Sequence, residues 1–193
     1  MNLKLEHEAR SAKRMEVLKQ QGHQPQYPLY LNQNLENTNL HMEIPKAIDK
    51  LRIVGSGDEE EYLRKMYSSE KVIFEGKKLS NDLVRLYQNA SCFVCPSIFE
   101  PWGLVVNEAL SSGLAVIATK EVGATFNLIK NKETGLIAEN MDDFGNKMLQ
   151  IFNNEVLLRK FSNNARELMQ NYWNYELYSK AQDEVINKVK QWD

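Results

Sequence analysis

Two glutamates separated by seven residues mark the stretch IFEPWGLVVNEAL, residues 98–110. Glu100 follows an apolar run and precedes Pro101, and Glu108 falls inside a short apolar segment that reads as a helix. At about 100° per residue from Leu104, Glu108 projects near about 40°, between Leu104 and Val105, and Asn107 is the residue that points away. A carboxylate among apolar neighbours must find hydrogen-bond donors or a ligand, because burying it unpaired is costly. Gly103 lets another group approach the backbone closely. The N–H groups of Leu104, Val105 and Val106 would project from the helix start, where an anion such as phosphate sits well. An anion there would repel Glu100 on the preceding loop, whereas hydroxyl donors would suit it.

The unit is thus an anion site flanked by two carboxylates. A nucleotide-sugar, with ribose hydroxyls, a diphosphate and sugar hydroxyls, has that outline. A plainer reading stays open on these residues alone: Glu100 as an ordinary loop acid and Glu108 as the partner of a buried Lys or Arg. Lys77 and Lys78 follow Gly76 and either face phosphates or solvate a loop. Gly55-Ser56-Gly57 begins like a dinucleotide-binding glycine turn, but Glu60 stands where the third glycine belongs and acids follow, which disfavours an oxidoreductase. Cys92 and Cys95 fall in one apolar run, on opposite faces of a strand, and read as small core residues rather than a disulfide or metal pair. His7, His23 and His41 share no spacing, so neither a metal centre nor a histidine base is expected.

Regular elements must position these residues. Residues 3–21 read as a charged helix, and residues 22–45, with Pro25, Pro28 and Pro45 among many amides, as an irregular connection. From Leu51 onward short apolar runs alternate with helices. LRIVG, VIFEG, CFVCP, LAVIAT and TGLIAE read as five strands, and LSNDLVRLYQNA as a helix capped by Ser80 or Asn81, with Leu83, Leu86, Tyr87 and Ala90 on one face. The expected fold is α/β, a doubly wound, Rossmann-like parallel sheet with extra C-terminal helices. The expected organisation is 1–45 as helix and linker and 46–193 as the binding domain. Ligands in such sheets lie beyond the carboxyl ends of the strands.

Bulk properties narrow the class. The chain has 193 residues, a formal net charge of −2 and 42% apolar residues. Its basic residues are dispersed, which argues against a nucleic-acid partner. The charged leading residues hold no apolar core of a signal peptide, and no run approaches a membrane span. A cytoplasmic protein is expected, with peripheral contact at the inner membrane surface left open.

The ordered segments LRIVGSGDEEEYL, VIFEGKKLSNDLVRLYQNASCFVCPS, EPWGLVVNEALSSGLAVIAT and EVGATFNLIKNKETGLIAE resemble the C-terminal, donor-binding domain of group 1 (family 4) retaining glycosyltransferases, one half of the GT-B fold. The tail RELMQNYWNYELYSKAQDEVI is similar to that family's closing helices. The resemblance implies transfer of a sugar from a nucleotide-diphosphate sugar, with retention, to an acceptor sugar, lipid or small molecule, as in lipopolysaccharide, capsule or glycogen synthesis. It implies no resident cofactor and no metal. Glu100, the expected catalytic residue, would contact hydroxyls of the donor sugar, Glu108 the ribose, and the backbone of Gly103, Leu104 and Val105 the diphosphate. Gly76, with Lys77, would line the base pocket, and Gly123 and Ala124 would lie near sugar or phosphates.

The sequence departs from that family in two ways. The family's Gly-Arg motif and following Lys, which clamp the diphosphate, have no clear match in residues 27–50; Lys46 and Lys50 correspond only loosely. The acceptor-binding domain is also not found in these 193 residues. A partner chain, a preceding domain or a non-catalytic binding role therefore stays open, as does a GT-B-type nucleotide-sugar epimerase.

Overall fold

A computed structural model describes residues 27–34, 50–130 and 132–190. The helix expected over residues 3–21, the three histidines, Lys46 and Trp192 lie outside the described residues.

Six parallel strands form one sheet in the order β3-β2-β1-β4-β5-β6. They are β1 (Tyr27–Asn34), β2 (Leu51–Ser56), β3 (Val72–Gly76), β4 (Ala90–Cys95), β5 (Ala115–Thr119) and β6 (Gly135–Ala138). The helices are α1 (Glu60–Tyr67), α2 (Ser80–Gln88), α3 (Leu104–Ser111), α4 (Thr125–Leu128), α5 (Met141–Phe152), α6 (Glu155–Asn171) and α7 (Tyr175–Val189). The five strands expected after Leu51 are all present.

The sixth strand, β1, corrects the reading of residues 22–45 as irregular throughout. It pairs with β2 through Leu29↔Arg52 and Tyr30↔Ile53, and with β4 through Leu29↔Phe93 and Tyr30↔Val94. Pro28 has no N–H to give to a ladder, and the register against β4 shifts between Tyr27 and Pro28, where a proline is tolerated. The amide-rich end of the strand hides it from a search for apolar runs.

Alternation along the strands sends side chains into two cores. Val54, Phe93, Cys95, Val116 and Ala118 pack on one face with Tyr87 of α2, Val106 and Leu110 of α3, and Ala165 and Met169 of α6. Ile53, Cys92, Val94, Ala115 and Ile117 pack on the other with Leu63 of α1 and Phe144 and Met148 of α5. Phe161 of α6 joins this second core, so α6 contributes to both layers. Cys92 and Cys95 are buried, unbridged thiols on opposite faces.

Helix starts follow local chemistry. Asn140, Asn154 and Asn174 cap α5, α6 and α7 by accepting from the N–H three residues on. The expected Ser80 or Asn81 cap of α2 is not formed: Leu79 holds the cap position without a side-chain bond, and Ser80 is already the first helical residue. Leu83, Leu86 and Tyr87 do form the expected inward face.

Candidate functional site

The loop after β4 leaves the sheet next to β1, where the strand order reverses direction, the position at which such sheets bind ligands. The Thr119 hydroxyl at the end of β5 donates to the Ser97 carbonyl and holds the first turn of that loop. Ser97 and Thr119 are both buried.

Glu100 and Val122 then form an isolated parallel bridge, so the loops after β4 and β5 run side by side. Glu100 N–H donates to the Glu121 carbonyl at 3.2 Å, Gly123 N–H to the Glu100 carbonyl at 2.9 Å, and Ala124 N–H to the Trp102 carbonyl at 2.7 Å. A Cβ on Gly123 would lie 2.0 Å from the Pro101 carbonyl oxygen, so only glycine allows this approach. Gly123 and Ala124 therefore hold the Glu100 loop with their backbone donors, and Ala124 is fully buried.

Gly103 turns that loop into α3. Its φ of 91° is in the left-handed region, and an added Cβ would meet Val122 Cγ1 at 2.9 Å and Glu100 Cγ at 3.2 Å. No side-chain hydrogen bond caps α3 among the described residues, and its first turn carries no acid. Val106 N–H turns back to the Gly103 carbonyl at 2.8 Å, which removes it from the donors expected at the helix start and leaves that role to Leu104 and Val105. The Glu100 carboxylate curls toward Trp102, whose N–H it accepts at 3.4 Å.

The other face of α3 explains Glu108. Its Oε2 accepts the Tyr87 hydroxyl at 2.9 Å, and the same hydroxyl lies 3.5 Å from the Val105 carbonyl. Glu108 is half-buried, and the donor it meets is a phenol rather than a buried Lys or Arg. Two neighbours differ from the helical projection. Leu104 is 71% exposed, and Asn107, expected to point away, is half-buried and accepts the Trp102 indole N–H at 2.9 Å. Trp102 in turn stacks on Trp173, between α6 and α7, with ring centroids 6.1 Å apart.

Gly76 and Lys77 close β3, three strand positions from β4, about 14 Å away at ordinary strand spacing. Gly76 has φ 68°, Lys77 is exposed, and Lys78 pairs with Glu75, which Arg52 also contacts. The fold thus gathers Glu100, Gly103, Leu104, Val105, Glu108, Gly123 and Ala124 into one unit and sets Gly76 and Lys77 across the switch point from it.

Sequence reasoning gave no site role to Tyr87, Thr119, Val122 or Asn107. Their contacts are long-range in sequence or run through backbone atoms, which leave no local spacing signal. The exposed apolar residues Ile98, Phe99 and Phe126 also have no role in the sequence reading, and Leu104 has one only through its backbone; each belongs to the loops and helix starts following β4 and β5. Among the described residues no group of three or more His, Cys, Asp and Glu could hold a metal ion, and no helix is long and apolar enough to cross a membrane.

Strand order, parallel pairing and the open helix start beyond β4 define a Rossmann-like α/β domain. The chain belongs to the group 1 glycosyl transferase family, whose profile matches residues 41–168. It is 33% identical over 106 residues to a sulfoquinovosyl transferase of Arabidopsis thaliana, covering 52% of this chain and 21% of that one. Its fold matches Anabaena HepE, solved in complex with UDP, at a TM-score of 0.72 and 17% identity, covering 92% of this chain and 53% of HepE. It also matches the C-terminal domain of a group 1 glycosyl transferase, LpcC of Francisella tularensis, at 0.64 and 18% identity, covering 84% of this chain and 93% of that domain. The chain spans 21%, 26% and 36% of the length of three curated relatives.

Proposed function

We propose that this chain is the donor-binding half of a retaining glycosyltransferase and holds a nucleotide-diphosphate sugar at the β4–α3 unit. One observation carries the reading. An eight-residue helix at the switch point starts on a left-handed glycine with no side-chain cap, with one carboxylate before its start and another on its flank. The Leu104 and Val105 N–H groups and the helix dipole favour a diphosphate there. Glu100 accepts from hydroxyls of the transferred sugar and Glu108 from the ribose. Gly76 and Lys77 border the base, and Gly123 and Ala124 set the wall facing the sugar.

Transfer breaks the bond between the sugar and the diphosphate, and the electron pair leaves with the nucleotide. A helix start already pointing at that oxyanion stabilises it without rearrangement, which is how fixed dipoles accelerate group transfer. The UDP held by HepE supports a uridine diphosphate as the first ligand to try. The acceptor, a sugar, lipid or small molecule, is bound by a second half, in the same polypeptide or in a partner.

The test is calorimetric titration of the chain with UDP, GDP and ADP beside Glu108→Ala. Hydrogen bonds to a charged group contribute about 1.5–3 kcal/mol, so the variant is expected to weaken the nucleotide that binds by roughly tenfold or more. Failure of all three to bind, or equal affinity in the variant, contradicts the proposal.

A further inference from the structure

We propose that Tyr87 is a positioning residue for nucleotide binding: its phenol fixes the Glu108 carboxylate in the orientation that grips ribose. The inference rests on the reading of Glu108 as a ribose ligand and deepens it.

Tyr87 is 3% exposed, at the end of α2, and its ring packs beside Phe93 of the central strand β4 with centroids 6.3 Å apart. The ring is therefore held by the core, and its hydroxyl is a fixed point rather than a rotating donor. A buried phenol requires a partner. This one spans from α2 to α3, donating to Glu108 Oε2 at 2.9 Å with the Val105 carbonyl at 3.5 Å. One hydroxyl thus faces both the flank carboxylate and the first turn of α3. A carboxylate has about four acceptor positions, so a single phenol leaves capacity for a vicinal diol. A glutamate free to sample its rotamers would lose that freedom on binding; a glutamate already held by Tyr87 does not.

A pair that merely satisfies itself would affect folding alone. A positioning pair affects one class of ligand contact. The experiment titrates wild type, Tyr87→Phe, Glu108→Ala and the double variant with UDP, GDP and ADP, and with the 2′,3′-dideoxy form of whichever binds. Tyr87→Phe keeps the ring and its packing, and near-ultraviolet circular dichroism confirms the native core before titration.

The expected result is a roughly three- to tenfold rise in Kd for the ribonucleotide in Tyr87→Phe. The dideoxy nucleotide should bind wild type and Tyr87→Phe alike, and Tyr87→Phe should add nothing to Glu108→Ala. Equal losses for both nucleotides, or no loss, overturn the role of Tyr87 while the Glu108→Ala result keeps the ribose reading intact. A Glu108→Ala chain that binds like wild type, or a wild type that binds no diphosphate, overturns both.

Discussion

Gly103 concentrates several demands in one residue. Its φ of 91° turns the chain from loop to helix, its missing side chain lets Val122 and Glu100 close around it, and its lack of a capping group leaves the start of α3 without a side-chain cap. A left-handed non-glycine residue costs about 1–2 kcal/mol before any overlap is counted. Gly103→Ala is therefore expected to lose about 1–3 kcal/mol of stability and most nucleotide affinity, measured by urea unfolding and calorimetry on the same sample. Unchanged affinity in a folded Gly103→Ala chain would remove the helix start from the site.

At the same scale, Glu108 is readable in sequence because a carboxylate on an apolar helix face is an anomaly that three flanking residues reveal. Tyr87 is not readable, because its partner lies 21 residues away and tyrosine on an inward helix face is ordinary. Asn107 was misplaced because a wheel projection knows nothing of Trp102, which comes round from the loop to meet it.

Elements fix where the residues point. The loops after β4 and β5 act as a single ribbon, joined by three backbone hydrogen bonds and relieved of steric conflict by Gly123. Gly123→Ala forces its methyl group onto a backbone oxygen, which cannot rotate away. It is expected to lower stability by about 1–3 kcal/mol and to weaken binding of a nucleotide-diphosphate sugar through displacement of Glu100, seen in paired unfolding and titration curves. A stable variant with native affinity would show that the ribbon is not what holds Glu100.

The stack of Trp102 on Trp173 anchors the same loop from the other side. Trp173→Ala is expected to lose about 0.5–1.5 kcal/mol beyond its lost burial. Ending the chain after Asn174, which keeps that stack, should change stability by no more than about 0.5 kcal/mol, because α7 buries none of its residues. A large loss on truncation, followed by chemical denaturation, would contradict this division between anchor and appendage. The five strands after Leu51 were legible because a parallel sheet covered on both faces needs near-continuous apolar runs. β1 was not: its proline and its amide-rich end both argue against a central strand, and only its two neighbours, β2 and β4, give it a place.

The described residues form two apolar layers on one sheet, with the candidate site along its carboxyl edge and a thiol under each face. Burial pushes the Cys95 thiol up to about 11, with the Glu100 charge adding and Ser97 hydrogen bonds opposing, and pushes Cys92 up as well. An unfolded thiol ionises near about 8.5, so below that pH both states keep the proton and the thiols add no pH dependence. Above it the unfolded chain releases protons that the folded chain retains, and stability falls as pH rises, from about 8.5 toward about 11 for Cys95. At pH 10 the loss is about 2 kcal/mol per thiol. Cys95→Ala is expected to flatten the decline between pH 7.5 and 10 in urea unfolding; an unaltered slope would mean that the thiol ionises freely in the fold. The family was legible from motifs that recur in order along the chain, which spans 49% and 53% of the length of two solved proteins it matches.

The most direct test of the central claim is to follow backbone amide resonances during titration with the diphosphate that calorimetry selects. The expected shifts are largest at Leu104 and Val105, extend through Glu100 to Glu108 and into Gly123 and Ala124, and reach Gly76 on the far side of the switch point. Shifts confined to surface lysines, with the start of α3 unmoved, would contradict the claim that this helix holds the diphosphate.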